Sequence, residues 1–419
     1  MANQVSRLQM QQMCNDAGKL GFRPERLLLL DQRLEEWSKN PMTPSIAVRV
    51  LRHGQEAFTG AYGIKGPDMA SDSLTPDTIF PVCSLTKPVI STLLCIMQEE
   101  GLIDLFHKVR HYIPEFTGDK KPDIRIWHLL THTSGIIDKD TNENTEAFIT
   151  KTLGIALPKE DSCEEEWNEA LLKVREKMGL PYMEPGRKMR HDTQLAVTLS
   201  IVPTHKPQEV MSYCNTGFHI AKEIIDRISK KPIDEFAAEK LFKPLKMQDS
   251  HFLFPQSKLP RYVTRSPEYL ASDWLNKGIL DSDSGPGGLK TTVLDMTRFG
   301  QMFLNKGSLE GVSVLSPASV REMTSDHNFH LADASYNEET VASTWGLGWN
   351  LRGRKKDDSG ILRSTGSFEH GGFGCCKLLC DPEADIVAAY FTVCRTDTYF
   401  MASNFNNIVL GAINGIDGK

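Results

Sequence analysis

Strand-forming runs stand near both ends of this 419-residue chain, and helical periodicity fills most of what lies between. Near the start, two β-branched or apolar stretches, 45–51 and 56–62, flank Arg52-His53-Gly54-Gln55, which predicts a hairpin with a glycine-containing turn. Near the end, the runs 375–380 and 386–392 are separated by Asp381-Pro382-Glu383-Ala384-Asp385, again a hairpin-type turn. Terminal strands around a helical middle are reconciled if both ends of the chain meet in one antiparallel sheet and the middle forms a lobe of its own. The expected fold class is therefore α+β. Residues 1–135 and 285–419 form a discontinuous sheet domain flanked by helices, and 136–284 form a mainly helical lobe.

The expected helices follow from apolar spacing and from their stops. One runs over 84–100 and ends at Gly101, because glycine takes the left-handed conformation that closes a helix. Another follows Tyr213 to about 229, a third covers 293–305 with Leu294, Met296, Phe299, Met302 and Phe303 on one stripe, and a last covers 399–413. The charged segment 137–206, with helices expected over 144–153 and 163–177, reads as a cap-like insertion. Long insertions in compact enzymes are often lids, so Phe148, Trp167 and Tyr182 are its candidate pocket-wall residues.

Lys and Arg number 48 against 54 Asp and Glu, a formal charge of −6 with both signs mixed, which leaves no basic field for nucleic acid or a membrane surface. The longest apolar run, 88–97, is far shorter than the roughly 20 residues that span a bilayer. Gln, Asn, Ser and Arg recur through residues 1–14, so no secretory signal is expected there. The nine cysteines are odd in number and lack framework spacing, which fits reduced thiols in a cytoplasmic protein. Cys375, Cys376 and Cys380 have no spaced second pair to complete a metal site and read as small buried hydrophobes.

Three segments carry chemistry. In Cys83-Ser84-Leu85-Thr86-Lys87 a hydroxyl and an amine lie three residues apart, one helical turn on the same face. A serine hydroxyl becomes nucleophilic when a base takes its proton, and a buried lysine can be that base. Alone, this spacing is usually a solvated helix turn. Pro88, however, removes the amide that would bond the Ser84 carbonyl, so the turn must be opened or 3₁₀-like, with Ser84 exposed at a helix entry. Tyr213-Cys214-Asn215 offers a phenol able to shuttle a proton and an amide able to orient a lysine or substrate. Glu369-His370-Gly371-Gly372-Phe373 leads into a strand, and its glycines let a ligand lie close to the backbone. There the amides of Ser84 and Phe373 could form an oxyanion hole.

These segments, in this order, resemble the serine β-lactamase and penicillin-binding-protein superfamily, with S-x-x-K, Y-x-N and a third motif in its H-x-G form. The similarity extends to Asp77-Thr78-Ile79-Phe80, the block 126–135 (IWHLLTHTSG), the block 241–247 (LFKPLKM), Gly285-Pro286-Gly287-Gly288-Leu289 and Trp345-Gly346-Leu347-Gly348-Trp349. His128 and His132 are spaced i, i+4, but Leu129 stands where a zinc protease carries glutamate, so a metal role is disfavoured. Two departures affect the pocket: Gln208, where the family usually reads Pro-Gly, and Cys375-Cys376, where glycine and a small residue are commoner.

The resemblance implies catalytic Ser84, Lys87 and Tyr213, an oxyanion hole from Ser84 and Phe373, and substrate contacts from Asn215, His370, Gly371, Gly372 and Trp345, without cofactor or metal; Trp167 joins the substrate contacts from its place in the insertion. His370 is expected at the cleft edge and not as general base. The branch most similar is the class C-like esterase and transesterase group, including a fungal statin side-chain acyltransferase. By that likeness the substrates are a small-molecule acyl donor and acceptor in natural-product metabolism, with a thioester donor and an acyl carrier protein as its candidate partner. The alternatives are an amide hydrolase of β-lactamase or D-Ala-D-Ala peptidase type, and a non-catalytic binding protein that retains the fold.

Overall fold

The computed structural model describes residues 7–40, 43–66, 73–159, 162–264, 279–280, 282–335, 341–393 and 399–415. Cys394 lies outside them. The chain divides into two compact units, one built from Met1–Leu102, Ser229–Phe329 and Thr344–Lys419, the other from Ile103–Ile228 and His330–Ser343. The sequence reading puts its divisions at 136 and 285. Instead, 103–135 and the return segment 330–343 group with the helical unit, and 229–284, expected in the helical lobe, group with the sheet unit.

The first unit is organised by a six-stranded antiparallel sheet. Its strands are β1 (Ser45–Arg52), β2 (Gln55–Gly63), β3 (Asn350–Leu351), β4 (Phe368–Gly372), β5 (Cys376–Asp381) and β6 (Ile386–Thr392), in the order β2-β1-β6-β5-β4-β3. Both expected hairpins form. In the β1–β2 turn His53 and Gly54 have φ of 53° and 69°, the paired left-handed residues of a two-residue turn whose twist matches the strands. The expected pairing of the chain's two ends is that of β1 with β6, Ile46 opposite Thr392 through Arg52 opposite Ile386.

Strands β5 and β6 are buried along their whole length, which explains why they read as continuous apolar runs and not as alternation. One face packs on the helices Arg7–Ala17, Pro24–Ser38 and Tyr399–Gly411 through Cys14, Leu27, Leu30, Leu34, Phe405 and Val409. The other face carries Val293–Leu304, where a Cβ added to Gly300 would stand 2.7 Å from Val387 Cγ1 and 3.0 Å from Cys380 Sγ. Only glycine lets that helix sit so close. Phe299, Phe303, Trp349 and Phe368 form an aromatic cluster there, with Phe299 stacked on Trp349 and the other ring pairs edge-to-face.

The second unit is mainly helical: Ile126–Leu130, Asp138–Ala147, Glu164–Lys177, Arg187–Ser200 and all but the last residue of Thr216–Ser229. The helix expected over 144–153 begins at Asp138 and runs on as a wider π turn over Phe148–Thr152. The helix Arg187–Ser200 was not anticipated. The segment 137–206 has its own small core, with Ile149, Ile155, Val174 and Val197 buried together and Phe148 packed against them. Trp167 is half-buried, whereas Tyr182 is 70% exposed. No helix among the described residues is long and apolar enough to cross a membrane.

Candidate active site

In the first unit, Ser84 lies in a single 3₁₀ turn, Cys83–Leu85, that opens into the helix Thr86–Glu99. The expected irregular entry is present. Cys83 has φ +46°, a left-handed backbone that a side chain normally avoids, and Thr86 Oγ1 donates to the Cys83 carbonyl at 2.6 Å while accepting the Leu289 amide at 3.1 Å. The Val82 amide donates to the Leu289 carbonyl at 3.1 Å. Strain just before Ser84 persists because such contacts over-determine it.

Lys87 is fully buried, and its Nζ lies 3.0 Å from Ser84 Oγ and 3.2 Å from the Pro286 carbonyl oxygen. The glycine-rich block 285–289 thus supplies backbone that holds the amine against the hydroxyl. The block 345–349 backs the same helix, because Gly348, at φ +77°, packs on Ser91 and on the Lys87 carbonyl. A Cβ on Gly372 would overlap the Val82 carbonyl oxygen and stand 3.2 Å from the Ser84 amide nitrogen. The absence of a side chain there brings the end of β4 onto the Cys83–Leu85 turn. Phe373, the next residue, is 41% exposed.

His370 is 3% exposed, and its Nδ1 lies 2.7 Å from the Gly371 carbonyl oxygen. A carbonyl only accepts, so Nδ1 carries the proton and Nε2 is the acceptor. Burial and the nearby Lys87 charge hold this imidazole down to about 3, so it is neutral at neutral pH. Trp345 meets it edge-on at 5.7 Å and is itself buried. On the opposite face of β4, Glu369 accepts from Ser359 Oγ and from Asn350 Nδ2 at 3.2 Å, with Lys377 Nζ at 4.0 Å and Arg363 Nη1 at 3.9 Å. This buried charge network anchors the strand that carries His370.

In the second unit, Tyr213 is half-buried and Asn215 exposed, just before the helix Thr216–Ser229. The Asp138 carboxylate accepts from the Asn215 amide at 2.6 Å, the Thr216 amide at 3.0 Å, the Thr216 hydroxyl at 2.8 Å and the Cys214 thiol at 3.2 Å. Burial pushes this carboxyl up, but those hydrogen bonds outweigh it and leave it below the ordinary carboxylate range. His132 Nδ1 accepts the Cys214 amide at 3.0 Å, and its ring lies 4.5 Å from that of Tyr213. His128 Nδ1 accepts the Arg125 amide at 3.0 Å. Both histidines of the i, i+4 pair therefore spend a ring nitrogen on backbone.

Asp138, His132 and the Pro286 carbonyl were missed by sequence reasoning. Asp138 had a usable signal: an acidic residue a few positions beyond Thr131-His132-Thr133-Ser134-Gly135. A carbonyl leaves none. Both departures from the family pattern have a structural correlate, since Gln208 has φ +65° and Cys375 φ +66°. Each stands where the backbone favours glycine. Gln208 offsets this through its amide to the Thr133 carbonyl at 2.8 Å and its Nε2 to Thr133 Oγ1 at 2.7 Å. Cys375 sits in the β4–β5 turn, one residue before the strand expected to include it.

A hydroxyl in hydrogen-bond contact with a buried lysine at an irregular helix entry, beside the edge of an antiparallel sheet, is the arrangement of a serine hydrolase that draws its base from a lysine. The chain belongs to the β-lactamase family, whose model matches residues 30–410. It is 25% identical over 356 residues to penicillin-binding protein 4 of Amycolatopsis lactamdurans, covering 82% of this chain and 79% of that one. Among solved structures, EstCE1, "a hydrolase with promiscuous acyltransferase activity", superposes with a TM-score of 0.65 at 16% identity, over 97% of this chain and 99% of that chain. A family VIII carboxylesterase superposes with a TM-score of 0.67 at 18% identity, over 96% of each chain.

Proposed function

We propose that this protein is a serine acyl hydrolase or acyltransferase of the esterase type, acting on an ester or thioester through a Ser84 acyl-enzyme. The observation that carries the reading is the 3.0 Å contact of Ser84 Oγ with a Lys87 amine fully removed from water. That contact places Lys87 to take the Ser84 proton as Oγ attacks the acyl carbonyl. The Ser84 and Phe373 amides would stabilise the oxyanion, and Tyr213 would pass the proton to the leaving group. Water then releases the acid; an alcohol or amine acceptor instead gives transfer.

Ester chemistry is favoured over β-lactam or D-Ala-D-Ala amide cleavage because the third motif presents His370, neutral at working pH, where a lysine would present a charge. A thioester donor, an acyl carrier protein as its source and a place in natural-product metabolism belong to this proposal as its narrowest form. So do substrate contacts from Asn215, His370, Gly371, Gly372, Trp345 and Trp167.

The test is a chromogenic short-chain ester and a chromogenic cephalosporin offered in parallel, with fluorophosphonate labelling read by mass spectrometry. Ester turnover and an adduct on Ser84, both lost in Ser84→Ala at unchanged thermal midpoint, are expected. Lys87→Ala and Tyr213→Phe should each cost roughly 100-fold in turnover. Cephalosporin turnover exceeding ester turnover would move the reading to a β-lactamase, and no adduct with any probe would leave a binding protein.

A further inference from the structure

Five consecutive backbone amides, 212–216, lie on a connection that belongs to neither helix nor sheet ladder over most of its length, yet each has an acceptor from another part of the same unit. Ser212 donates to the His132 carbonyl at 3.0 Å, Tyr213 to Ser335 Oγ at 2.8 Å, Cys214 to His132 Nδ1 at 3.0 Å, and Asn215 and Thr216 to the two Asp138 oxygens at 2.6 and 3.0 Å. His132 thus holds the amides on both sides of Tyr213 while its ring lies 4.5 Å from the Tyr213 ring, tilted 32°. To do so it takes a left-handed backbone, φ +61°. Loops bonded only to water move; one with every amide committed to a fixed acceptor is preorganised.

We infer that Asp138, His132 and Ser335 are positioning residues for Tyr213, a clamp that keeps the phenol in one place through the acylation cycle. None of the three need touch the substrate. Asp138 carries most of the clamp, since it is charged, receives four donors from three successive residues and caps the helix that follows. Nδ1 of His132 accepts an N–H, so the proton sits on Nε2 and the ring holds Cys214 only while neutral. This assigns a purpose to the block 126–135 and its extension to Asp138, which the proton relay itself does not use. The inference rests on the catalytic role proposed for Tyr213.

A double-mutant cycle separates positioning from general stability. Asp138→Asn keeps the size and one acceptor oxygen but turns the other contact into a clash of donors. Misplacement of a reacting group by about 1 Å costs roughly 100-fold, so kcat should fall by roughly that factor with KM little changed. In a Tyr213→Phe background the same substitution should cost less than about 3-fold, because there is no longer a phenol to misplace. Ser335→Ala, at an exposed position and therefore compatible with folding, should show a smaller fall, roughly 10-fold, and the same loss of effect without the phenol. Full-rate turnover by both Asp138→Asn and Ser335→Ala, or losses that multiply with that of Tyr213→Phe, would overturn the inference alone. Wild-type rates in Tyr213→Phe itself would overturn the relay role and this inference together. Should Asp138→Asn lose its cooperative melt, the Ser335→Ala arm decides.

Discussion

His370 is the residue whose environment most changes its chemistry. An exposed imidazole titrates near neutrality and would compete with Lys87 as base for Ser84; this one is buried, donates to its neighbour's carbonyl and is held down to about 3. In the unfolded chain it protonates near its ordinary value of 6.5. The unfolded state therefore binds more protons below that pH, and the stability contributed by the neutral buried ring falls as pH drops from about 6.5 towards 3. His128, held down to about 4 by burial and Arg125, adds to the same loss. His370→Gln should shrink the difference in thermal midpoint between pH 7 and pH 4, and activity from pH 5 to 8 should contain no step that this variant removes. A titration step near 6.5 that vanishes in the variant would return His370 to the role of base. The left-handed residues Cys83, Gln208 and Cys375 belong to the same scale. Each identity was readable in the chain, but its backbone strain was not, because φ is set by distant partners such as Thr133 and Leu289.

Among the elements, β4 and the turn carrying Ser84 depend on one missing side chain. Gly372→Ala places a methyl group against the Val82 carbonyl, and backbone cannot swing aside as a side-chain tip can. Overpacking of this kind costs about 1–3 kcal/mol, and because it falls on the turn holding Ser84, phosphonate labelling should slow by at least ~10-fold. Labelling at the wild-type rate would show that the turn relaxes freely. The segment 137–206 is tested differently. It is stabilised by its own small core of Ile149, Ile155, Val174 and Val197, so Trp167→Ala and the highly exposed Tyr182→Ala should fold. If the segment shapes the pocket, these variants alter the ranking of short against long acyl esters while leaving small-phosphonate labelling of Ser84 unchanged. An unaltered ranking would leave the segment as surface decoration. Its helices were only partly anticipated: the high charge of 187–200 hid an amphipathic helix whose buried side carries Met189, Thr193 and Val197.

For the molecule as a whole, the closure of the chain's ends rests on Arg52 as well as on strand pairing. Its guanidinium is buried and donates to the carbonyls of Leu20 at 2.7 Å, Ala384 at 3.3 Å and Gly415 at 2.8 Å, and it lies over the Phe22 ring at 5.6 Å. One side chain thus joins the amino-terminal helices, the β5–β6 turn and the carboxyl-terminal stretch. Arg52→Met keeps the stem but leaves these carbonyls without their donor, at about 1–3 kcal/mol for a buried acceptor left unsatisfied. Urea denaturation should show a loss of roughly 2–4 kcal/mol with the slope unchanged. A loss below roughly 0.5 kcal/mol would mean that water replaces the guanidinium.

Local chemistry was enough to specify the hairpins and the irregular entry at Ser84. Turn residues, β-branched runs and Pro88 act within a few positions of themselves, so the chain carries their effect in plain order. The family blocks likewise located Ser84, Lys87, Tyr213 and the 369–373 edge. Tertiary structure alone decided what each of these groups experiences: that Lys87 is dry and backed by the Pro286 carbonyl, that His370 is neutral, and that Asp138 and His132 hold the amides around Tyr213. The physical reason is distance along the chain. Desolvation and hydrogen bonding depend on which atoms arrive from 75 or more residues away, as with Asp138 and Asn215 at a separation of 77 or Lys87 and Pro286 at 199, and no local pattern encodes that arrival.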